Sequence, residues 1–505
     1  MTNIRKSVYR YDYRRSADQN AAAVVRRPVV VVGAGPVGLA AAIDLAQRGV
    51  PVVLMDDADR IGEGSRGICW SKRTLEILDR LGIGERLVAQ GVTWKLGKVF
   101  VGDELLYSFD LLPEEGHKMP AFINLQQFYL EKTLVDRALE LNNLDLRWKN
   151  RLVGLDFAGV TFEDKFLIAD VHMAAEFPTE RRFWFAPTFH SGQSALMHRQ
   201  PDDIWRIDLQ LGPDADPVAE QAPERVRARL DKVLKDHPYE LEWVSVYTFN
   251  CRRLDRFVHG RVIFIGDAAH QVSPFGARGA NSGLEDAENL AWKLDRVLRG
   301  KSPERLLESY HVERSGAANE NIRESTRSTD FMAPNSRHEA RLRKAVLSLA
   351  RDTEFGKRMV NAGRLSVPSV YQSPLSTADS DSWRGGPPPG ASMLDAPLAT
   401  RAGERMFLSD AFVQQGTRFA LIAFANGAAL EVPGEVGTIQ IGGDDGFADC
   451  EGLAGARYDA EPGTAYLLRP DGYVAARFRH PTRGLLEAAL ARASGVADLT
   501  FASPA

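Results

Sequence analysis

The stretch VVVVGAGPVGLAAAIDLAQRGVPVVLMDD (Val29–Asp57) decides the fold. Four consecutive valines make a short apolar, β-branched run, the pattern of a parallel strand buried on both faces. Gly33-Ala34-Gly35-Pro36-Val37-Gly38 follows, and then Leu39, Ala40, Ala41, Ile43, Leu45 and Ala46 predict a helix of small apolar residues able to pack tightly on a sheet. Gly49 ends that helix, and VPVVLMD is a second strand with Asp56 at its carboxyl end. Each glycine has a physical reason. Gly33 permits the tight turn, Gly35 lets a pyrophosphate approach the backbone, and Gly38 lets helix and strand pack closely. The helix N-terminus adds free N–H groups and a positive dipole end. An acid about twenty residues further on suits a ribose hydroxyl pair; Asp56 holds that place, with Asp57 beside it as a competitor. Strand, loop, helix, strand and acid in this order predict a dinucleotide site. The competing reading is a structural βαβ turn without a ligand.

A second glycine turn lies roughly two hundred residues on, in VIFIGDAAHQVSPFGARGANSGLEDA (Val262–Ala287). An apolar run stops at Gly266-Asp267, glycines follow at 276, 279 and 283, and a helical pattern begins, with Asn281 or Ser282 as its expected cap. Leu284, Ala287, Leu290, Ala291, Leu294 and Leu298 share one helical face. One nicotinamide dinucleotide would need only the first turn. Two turns this far apart can grip the two ends of a longer cofactor: FAD, with the aspartate accepting from ribityl hydroxyls and the later glycines presenting backbone N–H groups to the flavin.

Taken together, GAGPVG, Asp56, Arg66 in GSRGI, Gln127 in QFYLE and GDAAHQVSPFGARGANSGLEDAENLAWKL resemble the FAD-dependent aromatic hydroxylases, the single-component flavin monooxygenases of the phenol hydroxylase and 3-(3-hydroxyphenyl)propionate hydroxylase type. The resemblance runs over most of residues 28 to 330. It implies that Gly33, Gly35, Pro36, Val37, Gly38 and Asp56 bind the ADP half of FAD. It implies ribityl or flavin contacts for Arg66, Gln127, Gly266 and Asp267, and places Pro274, Gly279, Ala280 and Asn281 near the flavin ring. Arg66 as a surface ion pair, and Gln126 in place of Gln127, are the competing readings. The reaction implied is hydroxylation of a phenolic or related aromatic compound with NADPH or NADH and O2. The alternatives are an FAD-dependent oxidase or dehydrogenase that inserts no oxygen, or a degenerate flavin-binding scaffold. The base that activates the substrate is not identified by any motif.

The fold expected is α/β: a Rossmann-type FAD-binding domain, an antiparallel-sheet substrate domain and a C-terminal thioredoxin-like domain. Residues 1–27 form an N-terminal arm, rich in Arg and Tyr, that wraps its own domain. Residues 28–155 and 251–330 form the FAD-binding domain, with 95–123 adding strands to the substrate sheet, which is itself 156–250. Residues 331–389 are a helical segment and linker. Residues 390–505 are thioredoxin-like but lack CxxC, which points to packing or dimerisation rather than redox work. Within the substrate domain Phe183, Trp184, Phe185, His190, His198, Trp205 and Arg206 read chiefly as sheet packing or satisfied core groups. The family carries a further stretch of about forty residues, a domain-scale piece, with an Asp-Gly motif after the strand that follows the Gln127 helix. No Asp-Gly lies between Trp148 and Phe166 here. A shortened nucleotide domain with an uncovered or rearranged sheet face near residues 148 to 158 is therefore expected.

The 505 residues suit two or three domains. The composition, 26% charged and 44% hydrophobic, is that of an average globular protein, and a net charge of −4 gives no pointer to nucleic acid. No apolar run approaches the ~20 residues of a membrane span. Cys69, Cys251 and Cys450 stand isolated, which argues against a disulfide framework or a zinc site and fits a reducing, cytoplasmic setting. The partners expected are a small aromatic substrate and O2, with a homodimer possible and no metal.

Overall fold

The computed structural model describes residues 9–62, 64, 66–152, 165–212, 214–235, 237–248, 251–274, 276–334, 336–360, 367–425 and 430–499. The chain opens its nucleotide-binding half with a three-stranded parallel sheet in the order Val29–Val32, Val52–Met55, Leu144–Arg147. Its inner face carries Val29 and Val31, Val52 and Leu54, Leu144 and Leu146, all in one apolar core with helix Pro36–Gln47. That helix is apolar nearly all round, from Leu39 to Ala46, because it is covered on several sides. It packs on the sheet, on helix Gln127–Leu139 and on helix Gly279–Leu298.

Helix Gly279–Leu298 departs from the amphipathic pattern. Its residues from Asn281 to Lys293 are buried on every side, polar ones included, while Leu298 is exposed. It also starts earlier than expected: Gly279 is its first residue and Arg278 its N-cap, without a side-chain capping bond. Asn281 and Ser282 therefore lie in the first turn and are free for tertiary contacts.

A seven-stranded sheet stands over this half, in the order Glu240–Thr248, Lys165–His172, Ile204–Leu211, Ser194–Arg199, Arg181–Phe185, Leu96–Val101, Glu104–Asp110. It is mixed rather than wholly antiparallel. Arg181–Phe185 runs parallel to Leu96–Val101, because a strand from far earlier in the chain has been added beside it. One face, with Leu167, Ala169, Val171, Ile207 and Leu209, packs on helix Pro223–Leu234. Period-2 alternation turns Arg181, His198, Arg206 and Asp208 to the opposite face, toward the nucleotide-binding half.

The C-terminal part holds a four-stranded sheet, ordered Val436–Ile441, Phe419–Phe424, Ala465–Leu468, Val474–Phe478, the first pair parallel and the others antiparallel. Helix Arg483–Ala493 packs on it. It meets the nucleotide-binding half through buried charges. Arg469 reaches Glu313 (2.7 Å), Lys293 reaches the same carboxylate (2.8 Å), and Trp292 Nε1 donates to Asp471 (2.9 Å). Arg73 donates to the Asp471 carbonyl (2.7 Å) and to Glu288 (2.6 Å). Burial works against ionising Glu313, but Arg469 and Lys293 outweigh it and hold the carboxyl well below the usual range.

On the outer face of the parallel sheet Val30 and Val32 stay about half exposed, at 49% and 53%. Part of the N-terminal arm lies nearby. Tyr11 stacks on Trp148 with centroids 4.6 Å apart, and Arg147 pairs with Asp18 at 2.6 Å. Residues 153–158, where the shortened stretch was expected to leave its mark, lie outside the described residues.

Candidate functional site

The two glycine turns meet. A Cβ on Gly266 would stand 3.1 Å from both γ-carbons of Val37, and one on Gly283 would stand 2.5 Å from Val37 Cγ2. Gly266 sits at φ +58° and Gly33 at φ +102°, backbone conformations that side chains resist. A Cβ on Gly38 would lie 1.9 Å from the Gly33 carbonyl oxygen, so only glycine permits this helix–strand approach. By contrast no atom lies within 4 Å of the Cβ positions of Gly33 and Gly35. That open cradle beside a helix N-terminus with Pro36 at its first position suits a pyrophosphate.

Asp56 stands at the end of its strand, beside the first turn. The Ala34 N–H donates to one of its oxygens (2.6 Å) and the Ala58 N–H to the other (2.8 Å), which fixes the carboxylate at the lip of the cradle. Gln127 opens its helix and accepts from the Gly67 N–H (2.9 Å), tying the Arg66 loop to that helix. Its amide donates to Glu131 (2.7 Å), which accepts also from the Gly62 N–H (2.5 Å). Gln126, the residue before, is the buried N-cap. Arg66 is exposed and its charge acts on Asp267 and Glu131. Asp267 lies in the short turn Gly266–Ala268; desolvation raises its carboxyl, against His270 and Arg66. The Pro274 carbonyl accepts from Ala277 (3.0 Å), Gly279 starts the long helix, and Ala280 packs on the core.

Asn281 is turned inward. Its oxygen accepts from the Ser71 N–H (3.0 Å) and Thr74 Oγ1 (2.5 Å), and its amide donates to the Cys69 (2.9 Å) and Ala277 (2.5 Å) carbonyls. Three of these bonds join the second turn to the segment Cys69–Thr74 that opens helix Lys72–Arg80, and the one to Ala277 stays within the turn.

Sequence reasoning missed the brace under the second turn. Asp286 accepts from the Gly266 N–H (2.9 Å), His270 Nε2 (2.7 Å) and Arg314 Nε (2.6 Å). Arg314, wholly buried, also reaches Glu285 (2.9 Å), Tyr371 (2.8 Å) and the Ser282 hydroxyl (2.8 Å). The available signal was two acids, Glu285 and Asp286, inside an otherwise apolar helical pattern.

The large sheet follows the packing reading for most of its singled-out residues. Trp184 and Trp205 do pack on the far face, and Phe183 and Phe185 join an apolar cluster with Met332. His190 bonds the Gln210 carbonyl (2.7 Å). Arg206 is a buried cation satisfied by Asp170 (2.9 Å), and it reaches the Arg66 carbonyl (3.4 Å). Asp208 shares its face, and burial raises its carboxyl to about 6. His198 is 3% exposed, and burial, with Arg181 and Arg206, holds it neutral, well below its ordinary value. Burial also pushes the Cys69 thiol up to about 11, which removes it as a nucleophile. No group of three or more metal-ligating side chains occurs among the described residues, and none of their helices is long and apolar enough to cross a membrane.

Comparison with known proteins agrees with this geometry. The family model described as FAD binding domain matches residues 26–172 and 156–325, so the chain belongs to the family of FAD-binding-domain flavoproteins. Within it the chain is a member of the FAD-dependent aromatic hydroxylases, the flavin monooxygenases. It is 27% identical over 515 residues to a flavin-dependent monooxygenase of Mycobacteroides abscessus, covering 88% of this chain and 96% of the relative. It is 30% identical over 518 residues to the 6-methylpretetramide 4-monooxygenase of Streptomyces rimosus, covering 89% and 90%. Both alignments span more positions than this 505-residue chain contributes, so the relatives carry residues absent here. The flavin-dependent monooxygenase PieE, solved with FAD and substrate, shares the fold at TM-score 0.76 and 22% identity, covering 94% of this chain and 99% of that one. Aklavinone-11 hydroxylase, solved with FAD and aklavinone, does so at 0.72 and 22%, covering 92% and 98%.

Proposed function

We propose that this protein uses FAD, NADPH or NADH, and O2 to hydroxylate a phenolic or related aromatic compound. The observation that carries the reading is the meeting of two distant glycine turns at Val37, with open space over Gly33 and Gly35. In this reading Gly33, Gly35, Pro36, Val37 and Gly38 cradle the pyrophosphate, and Asp56 accepts from the adenosine ribose. Arg66, Gln127, Gly266 and Asp267 line the ribityl and flavin end. Pro274, Gly279 and Ala280 form the backbone wall of the ring pocket, and Asn281 holds that wall from behind. FAD supplies the redox and oxygen chemistry when bound. The chain's part is to position the ring, exclude water and manage the proton of a phenol, whose ordinary pKa is near ~10.

The sheet order and strand senses of the C-terminal part support a thioredoxin-like reading. Cys450 is exposed and is the sole cysteine of residues 390–505, so that part lacks the thiol pair of a redox centre and serves packing or dimerisation. The test of function is the purified holoenzyme under isotopically labelled O2 with NAD(P)H and a panel of phenols. Product bearing one labelled oxygen supports the reading. Oxidised product without label would make the protein an oxidase or dehydrogenase, and a colourless protein would make it a scaffold.

A further inference from the structure

Three polar groups on the cofactor-facing side of the large sheet lack partners. Asp208 Oδ1 and His198 Nδ1 are shut off from solvent without a hydrogen bond. Arg181 has no ion pair with the described residues, although its charge acts on both Asp208 and His198. Strand register gathers them. Leu196 lies opposite Asp208 and also opposite Phe183, so His198 and Arg181 are two residues along on the same face. Arg206, opposite His198, is already matched by Asp170 (2.9 Å). Buried polar groups are almost always satisfied, and one left open costs roughly 1–3 kcal/mol. Two such atoms beside an arginine without an ion pair, converging on one face, point to a missing ligand rather than to packing.

The walls around them place the gap. The Trp94 ring meets His198 edge-on at 5.9 Å, and Trp94, Phe122 and Cys69 pack against Ala277 of the second glycine turn. Arg206 reaches the Arg66 carbonyl on another side. The cluster thus lies between the sheet and both loops assigned to the flavin.

We propose that this cluster is the hydroxyl-recognition site for an aromatic substrate, in which Asp208 is the base that takes the phenolic proton and Arg181 is the cation that holds the phenolate. The O–H bond of the substrate breaks, the proton passes to the Asp208 carboxylate, and the electron pair stays on the substrate oxygen against the Arg181 guanidinium. His198, kept neutral by burial and the two arginines, offers a hydrogen bond to the same oxygen or to a neighbouring substituent. The charged groups facing Asp208 are Arg206, Asp170 and Arg181; Cys69 also lies in the cluster. Asp208's elevated affinity for protons suits a base that must hold one after transfer, a match of task and environment. A deprotonated phenol is also the more nucleophilic ring. The inference rests on the aromatic-hydroxylase reading above.

The test uses the FAD-loaded enzyme and 4-nitrophenol, whose phenolate absorbs visible light. The wild type is expected to bind the probe as phenolate at a pH where the free probe is still neutral. Asp208→Asn should keep its flavin, bind the probe in neutral form, and lose ~10²-fold or more in kcat/KM with the best phenol of the panel. The acid limb of its kcat/KM–pH profile should vanish. Asp208→Glu should restore part of both, a rescue that a purely structural role would not give, and Arg181→Met should weaken phenolate binding while keeping flavin. If Asp208→Asn folds poorly, Asp208→Ser serves, with flavin content as the control. An Asp208→Asn enzyme that ionises the probe and keeps the acid limb overturns the assignment of the base while leaving the hydroxylase reading standing. A yellow wild type that neither binds phenols nor oxidises NAD(P)H faster with them overturns both.

Discussion

At the scale of single residues, shape and charge decide different things. No protein atom approaches the Gly35 Cβ position, which leaves open space where the proposed pyrophosphate would lie. Gly35→Leu should therefore leave the fold near its original stability but abolish the yellow colour, as read by denaturation and flavin absorbance on the same sample. Asp208 is the opposite case, a residue that costs stability for function. Its carboxyl is raised by burial from 3.8 to about 6, so between those pH values the folded chain binds more protons than the unfolded one. Stability must then fall as pH rises from about 4 to about 6, and the penalty is full above that. Asp208→Asn should be more stable than wild type at pH 7–8, by an amount on the order of 2–3 kcal/mol at most. The advantage should shrink toward pH 4, which urea titrations across pH would show.

At the scale of elements, helix Gly279–Leu298 is the part on which helices Pro36–Gln47, Lys72–Arg80 and Glu308–Met332 converge. Being buried all round, it must place its polar residues against partners, and Asp286, Glu285, Glu288 and Lys293 each have one. The Asp286–Arg314 pair is the brace of the second glycine turn, because the same carboxylate accepts from Gly266. Removing one partner of a buried pair strands the other charge, at about 3–5 kcal/mol. Arg314→Ala should lose that much in denaturant midpoint measurements, and the protein that does fold should retain less FAD than wild type. An equal loss of stability with full flavin occupancy would show that the brace serves the fold alone. The large sheet makes the same point about alternation. One face is apolar and covered by a helix, while the other collects Arg181, His198, Arg206 and Asp208, and the shift of function between the two faces follows from a side-chain period of two.

At the scale of the whole molecule, the C-terminal part is an integral piece rather than an appendage. Its composition and self-contained pattern suggest that deleting residues 390 to 505 would leave the flavin site intact. The buried charges at the junction argue otherwise: truncation takes Arg469 from Glu313, Asp471 from Arg73 and Trp292, and bares the long helix that carries the second glycine turn. The truncated chain should express as aggregate or bind little FAD, as size-exclusion chromatography with flavin detection would show. A shortened stretch after Trp148, as expected from the sequence, would work in the opposite direction. Half-exposed Val30 and Val32 forgo roughly 1 kcal/mol each of burial, a cost the domain can carry. The expected consequence is local: weaker FAD binding than in relatives with the full segment, and NAD(P)H oxidation poorly coupled to hydroxylation. Flavin titration and the ratio of product formed to NAD(P)H consumed measure both.

The first turn was legible from sequence because its chemistry is local. Gly33, Gly35 and Gly38 are required by a turn, an approach and a helix–strand contact that all fall within ten residues, so spacing alone carries the information. The second turn can be read as a partner to it for the same reason, although its helix starts three or four residues earlier than a cap at Asn281 or Ser282 predicts, and Asn281 is instead pinned to Ser71 and Thr74. Buried charge was not legible. The pairs Asp286–Arg314 and Glu313–Arg469 are 28 and 156 residues apart, and nothing in the sequence pairs them until folding removes the water from around them. Asp208 and His198 sit in strands whose pattern reveals which residues share a face but not what that face meets. Sequence by itself determined the cofactor-binding class of this protein, because backbone geometry near a glycine is set by its neighbours. Only the tertiary structure decided which ionisable groups lose their water together, because desolvation depends on segments hundreds of residues away.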